Sequence, residues 1–516
     1  MTHIIKKYWD EKPLLLILLL GGFCRLLSVI FSKGWGMHDD HFLIIEAAQS
    51  WADGTDYNNW LPGSGAQTPS GHSLFYAGLH FLFFKLCGAL HFTDPQGKMY
   101  VVRFFHALFS LLTITLGYRI TFHYAGKRTA RMAALLLSIY WFMPMLSVRN
   151  LVEVVCIPCL LSATWYLIRA EEKNISRFYI YAGLIAGLAF SIRFQSLFFI
   201  GGFGLVLLIH KKWKGAFLFG LSALFCMTAV QGPVDYINWH YPFAEFIEYV
   251  HYNMENAYSY ETQQWYMYFT VVLGMLVPPI SFLLVFGFAR KWRSHLLLFL
   301  PAVIFFAFHS YFPNKQERFI LPVLPYIIIL GMIGWHEFAD KSAYWQKHPK
   351  LLRGFWIFFW SVNTIPMLFI SVSYSKRDRV ESMIYLAKKG DVKTFIIDAG
   401  NHSEILIPPL YYLHQWPSAV YCLTTSSNCD SLNVLVDNHK PELDPNYVIF
   451  MEDEDLDKRV ARFRDCYADI EPETVIQQGN LDAILHFLNP VNKSQTCFIY
   501  RVGKRKRERG TSHVHH

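Results

Sequence analysis

The chain has 516 residues, of which 53% are hydrophobic, 17% aromatic and only 17% Asp, Glu, Lys or Arg, with a formal net charge of +8. A soluble domain usually carries about 25% charged residues, so this composition excludes a chain built only from soluble cores and points to a membrane protein. The positive balance is scattered through loops between apolar runs, so no nucleic-acid partner is expected.

Lys6, Lys7 and Lys12 precede the first apolar run. That order is shared with signal peptides, but no small-residue cleavage site follows and the run is long, so a retained anchor is expected. Apolar runs occupy 14–31, 101–124, 132–146, 151–168, 179–192, 197–209, 217–230, 268–288, 296–308, 319–335 and 355–372. A spanning helix needs about 20 residues, with roughly 17 to 25 tolerated, so the shorter runs must borrow flanking residues or tilt. The expectation is an α-helical polytopic membrane fold of about eleven transmembrane helices. A further apolar stretch, 74–90, is expected along the interface or inside a first external loop at 32–98, because counting it as a span would invert everything after it.

Orientation follows from the positive charges. With a cytoplasmic N-terminus, the loops returning to that side are 125–131, 169–177, 210–214, 290–295 and 340–353, each rich in Lys or Arg, as the positive-inside rule requires. The opposite loops hold isolated ionisable groups: Asp39 with Asp40, Arg149 with Asn150 and Glu153, Arg193 with Gln195, Asp235 within 232–264, and the turn at 313–318. This partition predicts a site on the non-cytoplasmic face. An arginine between two apolar helices, such as Arg193, is costly in lipid and usually faces a cavity. Snorkelling to headgroups is the plainer reading for any one arginine, though not for all together.

Asp39 and Asp40 stand side by side just after the first run. Carboxylates at a bilayer edge are a functional hypothesis by default, and two adjacent ones repel unless a cation, a sugar hydroxyl or water supports them. The competing reading makes one of them the N-cap of a helix from His41 to Trp51. His38 and His41 flank the pair at a spacing that fits a divalent ion, yet a lone histidine pair in a loop more often meets solvent or sugar, so no metal or other cofactor is expected. Cys156 and Cys159 form a CxxC within an apolar run that has no second half, and burial of small side chains explains it better than zinc or redox chemistry.

After Lys376 short β-like runs at 394–398, 447–450 and 497–500 alternate with helical or polar segments such as 456–467. The expected division is a transmembrane domain at 1–375 and a soluble non-cytoplasmic α/β domain at 376–516. Cys422, Cys429, Cys466 and Cys497 would then meet an oxidising compartment, where pairing is open to them. The tail Lys504-Arg505-Lys506-Arg507-Glu508-Arg509 reads as an unstructured or lipid-headgroup-binding end. Asn401-His402-Ser403 and Asn492-Lys493-Ser494 fit the N-glycosylation acceptor pattern.

Two motifs carry a family resemblance. Met37-His38-Asp39-Asp40-His41-Phe42 resembles the His-Pro-Asp-Glu-His-Phe type of signature near the N-terminus of glycosyltransferase family 22, the polyprenyl-phosphate-mannose-dependent mannosyltransferases. Farther on, the stretch from His309 through Lys315, Arg318 and Phe319 to Pro325 is similar to that family's His-Lys-Glu-x-Arg-Phe followed by a Pro-Val-Leu-Pro helix. Weaker echoes are Arg149 to Glu153, Arg193, and Asp235-Tyr236 with Trp239 before Trp265-Tyr266. Departures are as plain: Asn314 and Gln316 stand where the family has His and Glu, and Gln263-Gln264-Trp265-Tyr266 replaces His-Pro-Trp-His. The resemblance covers roughly residues 13 to 335 and suggests a divergent, bacterial branch.

The resemblance implies a GT-C fold and transfer of a sugar, mannose by family habit, from a polyprenyl-phosphate-linked donor to a glycan or lipid-linked acceptor. Such transfer needs a base for the acceptor hydroxyl and cations for the departing phosphate. Asp39, aligned with the family's Asp, is the implied base, with Asp40 tuning it or holding the acceptor. Lys315 and Arg318, three apart and on one face if that turn is helical, are the implied phosphate ligands, with Arg193 and Arg149 as secondary candidates. His38, His41, Asp235, Gln263, Trp265 and Tyr266 are the implied substrate contacts. One base and direct displacement imply inversion. The alternatives are a GT-C transferase acting on lipid A or protein, and a transporter or flippase; the latter often shows internal repeats, and none is apparent here. The implied location is a bacterial inner membrane with the site facing the periplasm, or an endoplasmic reticulum membrane with a lumenal site.

Overall fold

The computed structural model describes residues 2–259, 262–400, 406–417, 420–423, 436, 444–490 and 495–506. The chain divides into two compact units. One comprises Met1–Ser32, Met37–Thr93 and Gly97–Val372; the other comprises Lys33–Gly36, Asp94–Gln96 and Ser373–His516.

The first unit is helical, as backbone in lipid requires, since each N–H and C=O must find its partner within the segment. Helices α1 (Thr2–Glu11) and α2 (Pro13–Phe31) lead into the short α3 (His38–His41), a π-helical turn at Phe42–Glu46 and α4 (Ala47–Ala52). There follow α5 (Leu74–Ala89), α6 (Pro95–Ile139), α7 (Met143–Leu146), α8 (Val152–Lys173), α9 (Ser176–Ile192), α10 (Ser196–Ile209), α11 (Trp213–Trp239) and α12 (Ala244–Glu255). The unit closes with α13 (Met267–Met275), α14 (Ile280–Arg290), α15 (Leu296–Tyr311), a 3-10 segment at Glu317–Val323, α16 (Leu324–Lys341), α17 (Ala343–Lys347) and α18 (Pro349–Ser371).

Every expected apolar run is helical, but not all are single straight spans. Among the described residues six helices can cross a membrane by length and composition, or seven if α13 and α14 form one broken span; α5, α9, α10 and α15 are shorter. The run at 268–288 is broken, with α13 and α14 bent by 119°. Val277 sits at φ 51° there, and Pro278 and Pro279 have no N–H to continue the ladder. The expected connection at 125–131 falls at a break in α6, where Gly126 leaves helical geometry (φ 72°, ψ −177°) and joins two helical halves through a kink, the basic residues being helical beyond it.

Packing explains two further features. Leu324 to Trp335 of α16 are all buried, as in a helix surrounded by others. Against it α14 comes close enough that a Cβ on Gly287 would strike the Gly331 carbonyl and lie 2.6 Å from Trp335 N; small residues permit such backbone contact between membrane helices. Arg25, fully buried in α2, gives Nε to Ser110 Oγ at 2.8 Å and Nη1 to the Gly21 and Ser138 carbonyls at 3.1 and 3.0 Å, so this intramembrane charge is a structural tie.

The second unit is built on a five-stranded sheet in the order β2-β1-β3-β5-β4, from β1 (Phe395–Asp398), β2 (Tyr421–Leu423), β3 (Tyr447–Met451), β4 (Ile470–Ile476) and β5 (Cys497–Val502). β1 pairs parallel with β2 and β3, and β5 pairs antiparallel with β3 and β4. Ile396, Val448 and Phe450 are wholly buried beneath the helix Leu456–Cys466, each stabilising the unit by roughly 1.5–3 kcal/mol. α19 (Arg377–Lys389) packs on the same sheet. Two short segments from far upstream complete the unit. Ser375 N–H donates to the Lys33 carbonyl at 3.2 Å, Lys33 Nζ lies 5.5 Å from the Tyr374 ring, and Tyr411 OH donates to the Pro95 carbonyl at 3.1 Å. Gly34, at φ 71°, leaves no room for a Cβ against the Ser375 carbonyl. Cys422 and Cys497 are free thiols, whereas Cys466 is disulfide-bonded. Cys429, Asn401-His402-Ser403, Asn492-Lys493-Ser494 and the basic tail beyond Lys506 lie outside the described residues.

Candidate functional site

Met37, with extended backbone (φ −125°, ψ 164°), is the N-cap of α3. Asp40, third in that helix, accepts the Met37 N–H at 3.2 Å. A carboxylate here satisfies an N–H that the helix leaves open. The N-cap reading is thus corrected: Met37 is the cap, Asp39 and Asp40 lie inside α3, and Asp40 at its third position accepts the cap's N–H. Asp40 is buried, whereas the Asp39 side chain is 36% exposed and reaches Arg318, with Oδ2 and Nη1 2.7 Å apart.

Arg318 belongs to the 3-10 segment at Glu317–Val323 and is itself held, its Nε donating to Gln316 Oε1 at 2.8 Å and its guanidinium lying 5.3 Å from the Phe319 ring. Beyond it stands Glu153, in the first turn of α8, where the helix terminus favours negative charge. Glu153 Oε1 is 3.8 Å from Arg318 Nη1 and 2.7 Å from Arg193 Nη1. Arg193 ends α9 on extended backbone. Asp39, Arg318, Glu153 and Arg193 therefore alternate in sign along one wall, and each charge has an opposite neighbour.

These groups line a cavity of about 470 Å³ formed by α3, the loop at 70–73, the start of α8, the α9–α10 junction, α12 and the 314–319 segment. The rest of its lining is mixed: Asn150, Gln195, Asn253, Asn314 and Gln316 bring amides and Tyr249 a phenol that accepts from Gln195 Nε2, beside apolar Leu43, Ile44, Val152, Ile192 and Phe194. Burial pushes Tyr249 up to about 12, so it stays protonated. His72 stacks on Trp60 with ring centroids 5.0 Å apart, and burial lowers its pKa, so it faces the cavity as a neutral ring.

Glu245 joins two of these walls. Completely buried at the start of α12, it accepts from Ser70 Oγ, Gly71 N–H and Trp239 Nε1, each at 2.8 Å. Burial raises it to about 7 against the pull of those donors.

Of the residues singled out from sequence, the structure brings His38, Asp39, Asp40, Arg193 and Arg318 to one cavity. Others stand apart. Lys315 donates to the Phe312 carbonyl, and burial lowers its pKa. It does not share a face with Arg318, because Gln316 is extended (φ −130°, ψ 142°) and the 3-10 turn starts only at Glu317. Arg149 Nη2 donates to Ser32 Oγ at 2.9 Å. His41 turns inward, 3.3 Å from Glu46 Oε1, so His38 and His41 do not converge. Asp235 is buried in α11, accepting from Gln231 Nε2 at 2.8 Å. Gln263 N–H bonds the Pro313 carbonyl at 3.3 Å, bracing the 313–318 turn, and Trp265 and Tyr266 are exposed. Among the described residues no group of three or more His, Cys, Asp and Glu is placed to hold a metal ion. Glu153, His72, Tyr249 and Glu245 were not foreseen as site residues; only Glu153 left a signal, as a lone acid opening an apolar run.

A model described as the Alg9-like mannosyltransferase family matches residues 16–404. The human alpha-1,2-mannosyltransferase ALG9 is 28% identical over 189 residues, 33% of this chain and 29% of its own length. The mouse protein of the same name is 28% identical over 186 residues, again 33% and 29%, so the chain spans under a third of these curated relatives. ArnT from Cupriavidus metallidurans, solved bound to undecaprenyl phosphate, superposes with a TM-score of 0.59 at 13% identity, covering 94% of this chain and 97% of that one. The Archaeoglobus fulgidus oligosaccharyltransferase tethered with an acceptor peptide gives 0.51 at 13% identity, covering 91% and 73%. These likenesses concern the fold, a GT-C membrane domain followed by a small α/β unit.

Proposed function

The chain belongs to the Alg9-like mannosyltransferase family, and on that premise we propose that it moves a hexose, mannose in this reading, from a polyprenyl-phosphate donor to a glycan or lipid-linked acceptor on the non-cytoplasmic face. The observation that carries the proposal is the partly exposed Asp39 carboxylate lining the cavity with Arg318 2.7 Å away. Asp39 takes the proton of the acceptor hydroxyl as its oxygen attacks the anomeric carbon, and the bond from that carbon to the phosphate oxygen breaks on the opposite side. Configuration inverts, because a single displacement requires no second nucleophile. As Asp39 becomes neutral, the charge of Arg318 is released to the phosphate that departs with the electron pair. Arg193 reinforces the positive field from the same wall.

The charge partition supports the outward placement: the basic segments fall on the opposite side from the cavity segments. A lipid-phosphate donor agrees with the shared fold of ArnT, which was solved with undecaprenyl phosphate.

The test is transfer by purified protein in defined lipid, supplied with polyprenyl-phosphate sugars. Asp39→Asn should lower kcat by roughly 10²- to 10⁴-fold while the protein stays inserted and monodisperse. Transfer by that variant at near wild-type rate would remove Asp39 as the base.

A further inference from the structure

Glu153 is 3% exposed, yet its Oε2 has no hydrogen-bond partner among the described residues, and neither does Arg193 Nε. Both residues line the cavity. A buried acceptor left open costs about 1–3 kcal/mol, more when charged, so a native structure keeps one where something else fills it. Oε1 is fixed between Arg193 and Arg318, which also fixes where Oε2 sits. The charge of Glu153 is matched by Arg193, and that of Asp39 by Arg318. The group that completes Oε2 must therefore donate a hydrogen bond without bringing a charge.

Resting on the transferase reading above, we infer that Glu153 is a sugar-recognition residue whose Oε2 accepts a hydrogen bond from a hydroxyl of an uncharged hexose, with Arg193 Nε donating to a neighbouring hydroxyl oxygen. A cationic amino sugar or an anionic uronic acid would unbalance two matched pairs, of which Glu153 and Arg193 are almost wholly buried. The neutral polyol satisfies both open groups and leaves the pairs intact.

The experiment compares wild type, Glu153→Gln and Glu153→Ala, full length and in nanodiscs, on a polyprenyl-phosphate hexose and each of its monodeoxy analogues. With wild type, one analogue should fall about 10- to 100-fold in kcat/KM, the size expected for a hydrogen bond to a charged group. With Glu153→Ala the complete sugar should drop to the level of that analogue, and the analogue should drop no further. Glu153→Gln keeps the volume and a contact to Arg193, so it carries the test if the alanine variant does not fold; its penalty for the same analogue should shrink. Equal penalties in wild type and Glu153→Gln for every analogue would reduce Glu153 to a scaffold and overturn the inference. So would a wild-type preference for an amino-sugar donor. Absence of transfer from any polyprenyl-phosphate sugar by wild type would instead overturn the transferase reading, and the inference with it.

Discussion

Replacing Arg318 by Gln tests the coupling between base and leaving group. Arg318 gives Nη1 to Asp39 at 2.7 Å and Nε to Gln316 at 2.8 Å, and is 7% exposed. Removing one member of a buried pair costs about 3–5 kcal/mol. The Asp39 side chain is 36% exposed, so water recovers part of that, leaving roughly 1–3 kcal/mol of lost stability. The rate should suffer more, because a charge that stabilises the departing phosphate acts only in the transition state. The loss of one such donor is about 10²- to 10³-fold in kcat, with a smaller change in donor KM. Arg318→Lys keeps a point charge but loses the Nε bond and the planar fork, and should fall about tenfold. In Asp39→Asn/Arg318→Gln the second change should add little, because Arg318 has no proton uptake left to respond to. Single-turnover transfer in nanodiscs, with thermal unfolding in parallel, measures both quantities. An Arg318→Gln rate within about threefold of wild type, or strict additivity in the double variant, would refute the coupling.

Glu245 is held at about 7 by burial, above its ordinary 4.5, so the stability it contributes is complete below pH 4.5 and is lost as pH rises to about 7. That interval corresponds to roughly 3 kcal/mol, and hydrogen exchange at the Gly71 amide, corrected for intrinsic chemistry, should show protection falling between pH 5 and pH 8; a flat profile would contradict it. Glu245→Ala leaves Ser70, Gly71 and Trp239 without their acceptor and should cost roughly 2–4 kcal/mol with a raised KM. Lys315→Met should reduce kcat less than about threefold, because its ammonium serves the Phe312 carbonyl away from the cavity; a loss as large as that of Arg318→Gln would return it to the chemistry. Gly287→Ala forces a Cβ onto the Gly331 carbonyl and should cost about 1–3 kcal/mol, while Gly204→Ala, with open space around it, should stay within about 0.5 kcal/mol; denaturation half-lives in one detergent compare the two.

The helical architecture was legible because hydropathy reports what lipid demands of a backbone, and each apolar run is helical. What it missed is a place where backbone chemistry overrides hydropathy: Val277, Pro278 and Pro279 break an apolar run, whereas the break at Gly126 falls within the expected connection at 125–131. In the site, the resemblance assigned Asp39 and Arg318 to one centre, as base and as a phosphate ligand together with Lys315, and their direct contact emerges only from the structure. The helical-spacing argument for Lys315 and Arg318 failed because it presupposed a helix that begins two residues too late. Glu245 was invisible because its importance lies in Ser70 and Trp239, and one sequence read by periodicity carries no signal for such a junction. The β4 strand escaped because Glu471, Pro472 and Glu473 hide its alternation.

Lys33–Gly36 and Asp94–Gln96 fold with residues that begin at Ser373. During synthesis at about 5–20 residues per second, Gln96 therefore waits between roughly a quarter of a minute and a minute for its partners. Over that interval the membrane helices emerge and insert while Lys33–Gly36 and Asp94–Gln96 lack the residues they fold with. The second unit is thus tied to segments made long before its sheet, and a product truncated before Ser373 would carry 33–36 and 94–96 without the rest of their unit. For protein engineering, a C-terminal unit exchanged with that of a relative must bring positions 33–36 and 94–96 with it.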